Sequence, residues 1–174
     1  MIGPQDIVVT RWGARFMGRR FPCSIGKGGL IDAAQKREGD GATPITTLRL
    51  PVMYYRADRG IRPGTAERHQ TPRHQIGPRD LWSDAAEDAQ YNQLVRAPYA
   101  ASHERMRRPD RLYDLVMITD WNWPVATSGK GSAIFVHRWR KPRHPTEGCV
   151  AFRADHLRWI AQHVTPHTRL IIRG

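Results

Sequence analysis

Apolar positions along this chain fall in short runs broken by Gly and Pro, and only one segment carries a helical period. "DIVVTRWGARFMGRRFPCSIGKGG" predicts a hairpin, Ile7–Thr10 then Ala14–Met17 about a turn at Gly13, followed by a strand through Phe21–Ile25. A Gly/Asp turn in "KREGDG" opens an extended segment over Thr46–Arg56, whose Pro51 suits an edge or a bulge. "LYDLVMITDWN" predicts a strand over Leu112–Thr119, "SAIFVH" one over Ser132–His137, and "TRLIIR" a closing strand. In "RADHLRWIAQHV", Leu157, Ile160, Ala161 and Val164 share one face at helical spacing, and Asp155 lies near the start, where the helix dipole favours a carboxylate. Residues Ala57–Ala101 follow neither period. They read as a long irregular insertion, a kind of segment that is commonly functional. A short helix is expected to start at Ser83, with Glu87 as a weak capping signal.

The pattern therefore predicts a mainly β fold, sandwich-like or barrel-like, with a C-terminal amphipathic helix and a long irregular insertion. The 174 residues suit a single domain spanning 1–174, without repeats. Lys and Arg outnumber Asp and Glu by 28 to 16, a formal charge of +12. Such an excess attracts polyanions, or serves only as a soluble basic surface. The arginines are dispersed and accompany no zinc-finger spacing or basic zipper, so nucleic acid is not the expected partner. No run of roughly 18 apolar residues is present, so no integral membrane segment is expected. "MIGPQDIVVT" shows neither a basic n-region nor an apolar h-region. A monomer is expected.

Two cysteines, Cys23 and Cys149, are too few for a disulfide framework or a four-thiolate metal site. Cys23, in "FPCSIG", reads as a buried strand residue. Cys149 follows a Pro-Thr-Glu-Gly turn, and Gly148 permits close backbone approach, so local N–H groups could hold an oxyanion. His137 ends a strand twelve positions upstream. An imidazole beside a thiol lowers its pKa and relays its proton, the minimum for cysteine acyl transfer. Three readings compete: a small buried cysteine; a zinc set of His137, His144 and Cys149, which lacks the usual Cys-x-x-Cys partner; and a nucleic-acid module with a structural Cys149.

"GSAIFVH…HPTEGCV" resembles the catalytic signature of the L,D-transpeptidases, the YkuD-type domain. That signature is a histidine at a strand end followed, after a spacer, by Ser/Thr-His-Gly-Cys and a hydrophobic residue. Thr146, Gly148, Cys149, Val150 and His137 match it. "GDGATPITTLRL" resembles the family's Asp-Gly-x-Thr-Pro-x-Gly stretch, so two motifs in the right order cover most of the chain. The departures are Glu147 for the box histidine, Ala151 for the arginine two positions after the cysteine, Thr46 for the last glycine, and a short spacer.

The resemblance implies a Cys149 nucleophile, a His137 base, oxyanion donors about Gly148 and Cys149, and a backbone carbonyl of Arg138 orienting the imidazole. Thr146 and Glu147 would border the substrate. Arg153 could meet a substrate carboxylate, and Tyr54, Tyr55, Trp121, Trp123 and Trp139 could stack on peptide or glycan. It further implies peptidoglycan stem peptides as partners, no metal or organic cofactor, and action in the periplasm or cell wall by a route this chain does not display. The product would be a stem cross-link, or a trimmed stem where water replaces the acceptor. Glu147 suggests a divergent proteobacterial branch and ranks the 1,3 cross-link slightly ahead of the 3,3 type. A hydrolase of the same fold acting on another amide is the nearest alternative.

Overall fold

The computed structural model describes residues 1–63 and 71–174. Of the expected insertion, residues 64–70 lie outside the described residues. The hairpin forms as β1 (Ile7–Thr10) and β2 (Gly13–Phe16) and continues into β3 (Arg19–Phe21). Pro22, which has no N–H for a ladder, separates β3 from β4 (Cys23–Ser24). The single strand expected over Phe21–Ile25 is thus two short ones that belong to different sheets.

Pro51 has a similar effect. It interrupts the extended segment between β7 (Thr47–Arg49) and β8 (Val52–Tyr55), and the chain changes sheet there. β7 is an edge strand of a five-stranded sheet ordered β3-β2-β1-β16-β7, where β16 is Arg169–Ile172. The two ends of the chain meet in this sheet. β1 and β16 run parallel, with Ile7 opposite Leu170 and Val9 opposite Ile172.

The second sheet has six strands in the order β4-β15-β14-β13-β8-β9. Here β9 is Arg73–Gln75, β13 Leu115–Ile118, β14 Phe135–Arg138 and β15 Val150–Phe152. Both sheets and the helix α1 (Ala154–His163) enclose one core, which includes Ile7, Val9, Phe16, Met53, Met117, Val136, Val150, Phe152 and Leu170. Each such side chain contributes about 1.5–3 kcal/mol when fully buried. α1 buries Leu157, Ile160 and Ala161 on the face its period predicts, and Val164, just past its end, is buried with them.

The described part of the insertion is mostly loop, as expected, but it carries β9 and two further strands. These two, β10 (Asp80–Ser83) and β11 (Leu94–Arg96), form a three-stranded antiparallel sheet, β11-β10-β12, with β12 (His103–Arg105) just beyond it. Ser83 ends a strand rather than starting a helix: its N–H donates to Gln93 O, and Asn92 N donates back to Ser83 O. This strand pairing satisfies the backbone that a helix would have paired internally. The new sheet lies over the second face of the six-stranded sheet. A second core, containing Trp82, Met106, Tyr113, Val116, Ile118, Phe135 and Cys149, fills the space between them. A last pair, β5 (Leu30–Asp32) with β6 (Thr43–Ile45), runs parallel beside the turn before Cys149.

Candidate active site

β14 and β15 run parallel, with Val136 opposite Val150 and His137 opposite Ala151. Side chains alternate between faces along each strand. Val136, Val150 and Phe152 enter the first core, so Phe135, His137 and Cys149 share the opposite face. His137 and Cys149 both line a cleft of about 390 Å³, together with Glu104, Arg108, Leu112, Tyr113, Arg140, His144, Pro145, Thr146 and Glu147. Both are nearly inaccessible, at 6% and 8% exposure.

The His137 Nδ1 lies 2.7 Å from Arg138 O. A carbonyl only accepts, so Nδ1 carries the proton and Nε2 keeps its lone pair. Burial, the largest influence, pushes the His137 pKa down to about 4, so the ring is neutral at pH 7. Tyr113 packs edge-on against it at 5.2 Å between ring centres.

The thiol does not behave as proximity to an imidazole alone suggested. Burial, reinforced by Glu104, pushes Cys149 up to about 12. The resting pair is thus a neutral thiol and a neutral imidazole. Cys149 Sγ donates to Ala133 O at 3.0 Å and accepts from Phe135 N at 3.4 Å. Ala133 is itself held in a left-handed conformation, φ 50°, where its N–H donates to Asn92 Oδ1 at 3.0 Å. Asn92, from the insertion, also accepts from Trp82 Nε1 and donates to the carbonyls of Trp121 and Asn122. The insertion therefore sets the position of the carbonyl on which the thiol rests.

The turn before Cys149 explains the second sequence motif. Gly148 has φ 135°, and a Cβ there would lie 3.0 Å from Ala42 O and 3.1 Å from Ile134 Cδ1. Its carbonyl accepts from Thr43 Oγ1 at 2.7 Å, and that hydroxyl accepts from Gly26 N at 2.8 Å. Asp40 shapes the preceding turn by accepting from the N–H groups of Arg37 and Ala42 and pairing with the buried Lys36 at 2.5 Å. "DGATP" is thus the buttress of the "TEGC" turn. Thr146 belongs to the same scaffold: its hydroxyl donates to Cys149 O at 2.7 Å and accepts from Gly148 N at 3.2 Å. The Gly148 N–H, expected to face an oxyanion, is already engaged.

The remaining expected residues divide. Glu147 borders the cleft and pairs with Lys27 at 2.7 Å, both exposed, so the pair contributes little to stability. His144 lines the cleft wall. Arg153 does not line it. It precedes α1 and pairs through two nitrogens with Asp155, at 2.6 and 2.7 Å. Trp139 is buried beside Leu112 and Arg138, outside the cleft. Tyr54 lies two strands from β14, against His74. Tyr55 and Trp121 pack in the first core, and Trp123 packs at the margin of the second. Cys23 is a free, buried thiol in the first core, on the other side of the sheet from Cys149. Among the described residues, no group of three or more His, Cys, Asp or Glu side chains is placed to hold a metal ion.

Sequence reasoning missed Glu104, Arg108, Tyr113 and Arg140. The Tyr113 hydroxyl donates to Glu104 Oε2 at 2.5 Å, and burial raises the Glu104 pKa. Arg108 is bound through two nitrogens to Asp110 and lies over the Tyr113 ring at 5.2 Å. Arg140 has no ion pair among the described residues. Only Tyr113, at the head of a strongly apolar strand, carried a sequence signal.

Fold and cleft together define a β domain that places one oriented imidazole on a strand and one thiol at the entry of the adjoining parallel strand. The family model for the L,D-transpeptidase catalytic domain, YkuD, matches residues 8–172, and the chain belongs to that family. No curated protein and no solved structure matches it. The family consists of transpeptidases that act on peptidoglycan, at the cell wall or in the periplasm. No helix among the described residues is long and apolar enough to cross a membrane.

Proposed function

We propose that the protein forms stem-peptide cross-links in peptidoglycan through a thioester on Cys149. The observation that carries this reading is that Cys149 and His137 line one cleft, with the His137 Nδ1–H tied to Arg138 O so that Nε2 keeps its lone pair. Because the resting pair is neutral, the proton moves during attack rather than before it. The S–H leaves Ala133 O and gives its proton to His137 Nε2 as sulfur bonds to the donor carbonyl carbon.

The resulting oxyanion is held by backbone N–H groups beginning with that of Cys149. Each such donor is worth about 2.7–4 kcal/mol in other enzymes. As the tetrahedral carbon collapses, the C–N bond breaks and His137 protonates the departing amine. A side-chain amine of a second stem then attacks the thioester, forming the cross-link and returning the thiol. Water in its place trims the stem.

Arg140, on the cleft wall and without an ion pair among the described residues, takes the substrate carboxylate in place of Arg153. Glu147 stands where the resemblance expects a histidine and ranks 1,3 cross-links slightly ahead of 3,3 ones. The decisive experiment is incubation with defined muropeptides and mass spectrometry of the products. Wild type should yield cross-linked dimers, and Cys149→Ala should yield none. Monomer trimming alone would replace the transpeptidase reading with a carboxypeptidase. Undiminished activity of Cys149→Ala would remove the cysteine mechanism.

A further inference from the structure

A second groove lies beside the first hairpin, away from the catalytic cleft. Its volume is about 450 Å³, and its walls include Trp12, Arg15, Arg20, Phe21, Pro22 and Arg143. Trp12 is 79% exposed at the tip of the β1–β2 turn. That turn is fixed rather than loose. Trp12 N–H donates to Thr10 Oγ1, and a Cβ on Gly13, whose φ is 141°, would lie 2.8 Å from Phe21 O. A large aromatic held out in water on a rigid turn has a face available for stacking.

The charges beside it are unusual. Arg15 and Arg20 are direct cross-strand partners in the β2–β3 pair. Like charges so placed repel. Arg15, Arg20 and Arg143 have no ion pair among the described residues, and no Asp or Glu lines the groove. An anion of the right shape would relieve that repulsion.

The groove and the catalytic cleft share one loop. Arg143 lines the groove, while Arg140, His144, Pro145 and Thr146 of the same loop line the cleft.

We propose that this groove binds an acidic polysaccharide strand, with a sugar ring stacked on Trp12 and carboxylates met by Arg15, Arg20 and Arg143. The concave shape and the single aromatic suit a sugar chain better than a bilayer, which favours several projecting apolar side chains. Peptidoglycan glycan strands freed of their stems carry such free carboxylates, and their choice as the occupant rests on the transpeptidase reading; the groove's chemistry does not.

The test is titration of the protein with soluble peptidoglycan glycan strands freed of stem peptides, followed by tryptophan fluorescence. DNA duplex, polyglutamate and anionic lipid vesicles at the same ionic strength serve as comparison arms. Trp12→Ala should weaken glycan binding by about tenfold, the size of one lost aromatic stack, and abolish the fluorescence change. Arg15→Ala with Arg20→Ala should weaken it and flatten its salt dependence. Equal binding of DNA, polyglutamate or vesicles, or glycan binding unaffected by Trp12→Ala, would overturn the proposal. Trp12→Ala should still turn over a soluble muropeptide, and Cys149→Ala should still bind glycan. Failure of the groove and failure of the catalytic reading are thereby separable.

Discussion

Replacing Thr43 with Val tests the claim that the distant "DGATP" motif acts by holding the turn before Cys149. The two side chains have nearly the same shape, so the change removes one hydroxyl and little volume. That hydroxyl bridges two groups inside the protein: it accepts from Gly26 N at 2.8 Å and donates to Gly148 O at 2.7 Å. Thr43 itself is fully buried. Each of the two groups left without a partner costs about 1–3 kcal/mol, so the variant should lose ~2–6 kcal/mol. Turnover should fall as well, because Gly148 precedes Cys149 and this hydroxyl holds its carbonyl. Equilibrium unfolding in guanidinium measures the first effect and dimer formation from muropeptides the second. Thr43→Ser retains the hydroxyl and should lose only about 0.5–1.5 kcal/mol, the cost of one buried methyl. A Val variant within about 0.5 kcal/mol of wild type, or Ser and Val variants of equal stability, would refute the buttress.

Three further outcomes follow from the same site. His137 is held neutral by burial, from an unfolded value near 6.5 to about 4, and so contributes about 3 kcal/mol above pH 6.5 that is lost as pH falls to 4; unfolding of wild type and His137→Gln across that window should show a steeper loss in wild type, and equal slopes would refute it. Glu104→Gln keeps an acceptor for Tyr113 but removes the carboxylate that helps raise the Cys149 pKa, so alkylation of Cys149 by iodoacetamide should quicken between pH 8 and 10; an unchanged rate would exclude the coupling. Asn92→Ala abolishes four hydrogen bonds around Ala133 and should cost about 2–4 kcal/mol, with slower turnover in whatever protein remains folded.

The cleft was legible in part. Cys149, His137 and the Gly148 turn stood out because their chemistry is local: a thiol after a glycine, and an imidazole at a strand end. The role of the Arg138 carbonyl was also expected, and His137 Nδ1 meets it at 2.7 Å. The substrate side was not legible. Trp139, Tyr54, Trp123 and Arg153 all lie outside the cleft, whereas Glu104, Arg108, Tyr113 and Arg140 line it. Residue type says that an indole can stack or an arginine can pair. It does not say which face of a strand looks onto the thiol, or that Arg153 is already engaged by Asp155.

Short-range pattern determined the β content, the hairpin at Gly13 and the amphipathic face of α1. These depend on alternation, helical spacing and φ preference, which neighbouring residues settle among themselves. Tertiary structure decided the rest. The parallel pairing of β14 with β15, which puts Cys149 and His137 on one face, depends on a register between strands that no local pattern encodes. The sheet built from the insertion appears only when Trp82 and Met106 have a second sheet to bury against. Burial then reverses the simplest chemical expectation. A thiol beside a charged imidazole is acidified, but here removal from water keeps the ring uncharged and raises the thiol, and the site rests as two neutral groups.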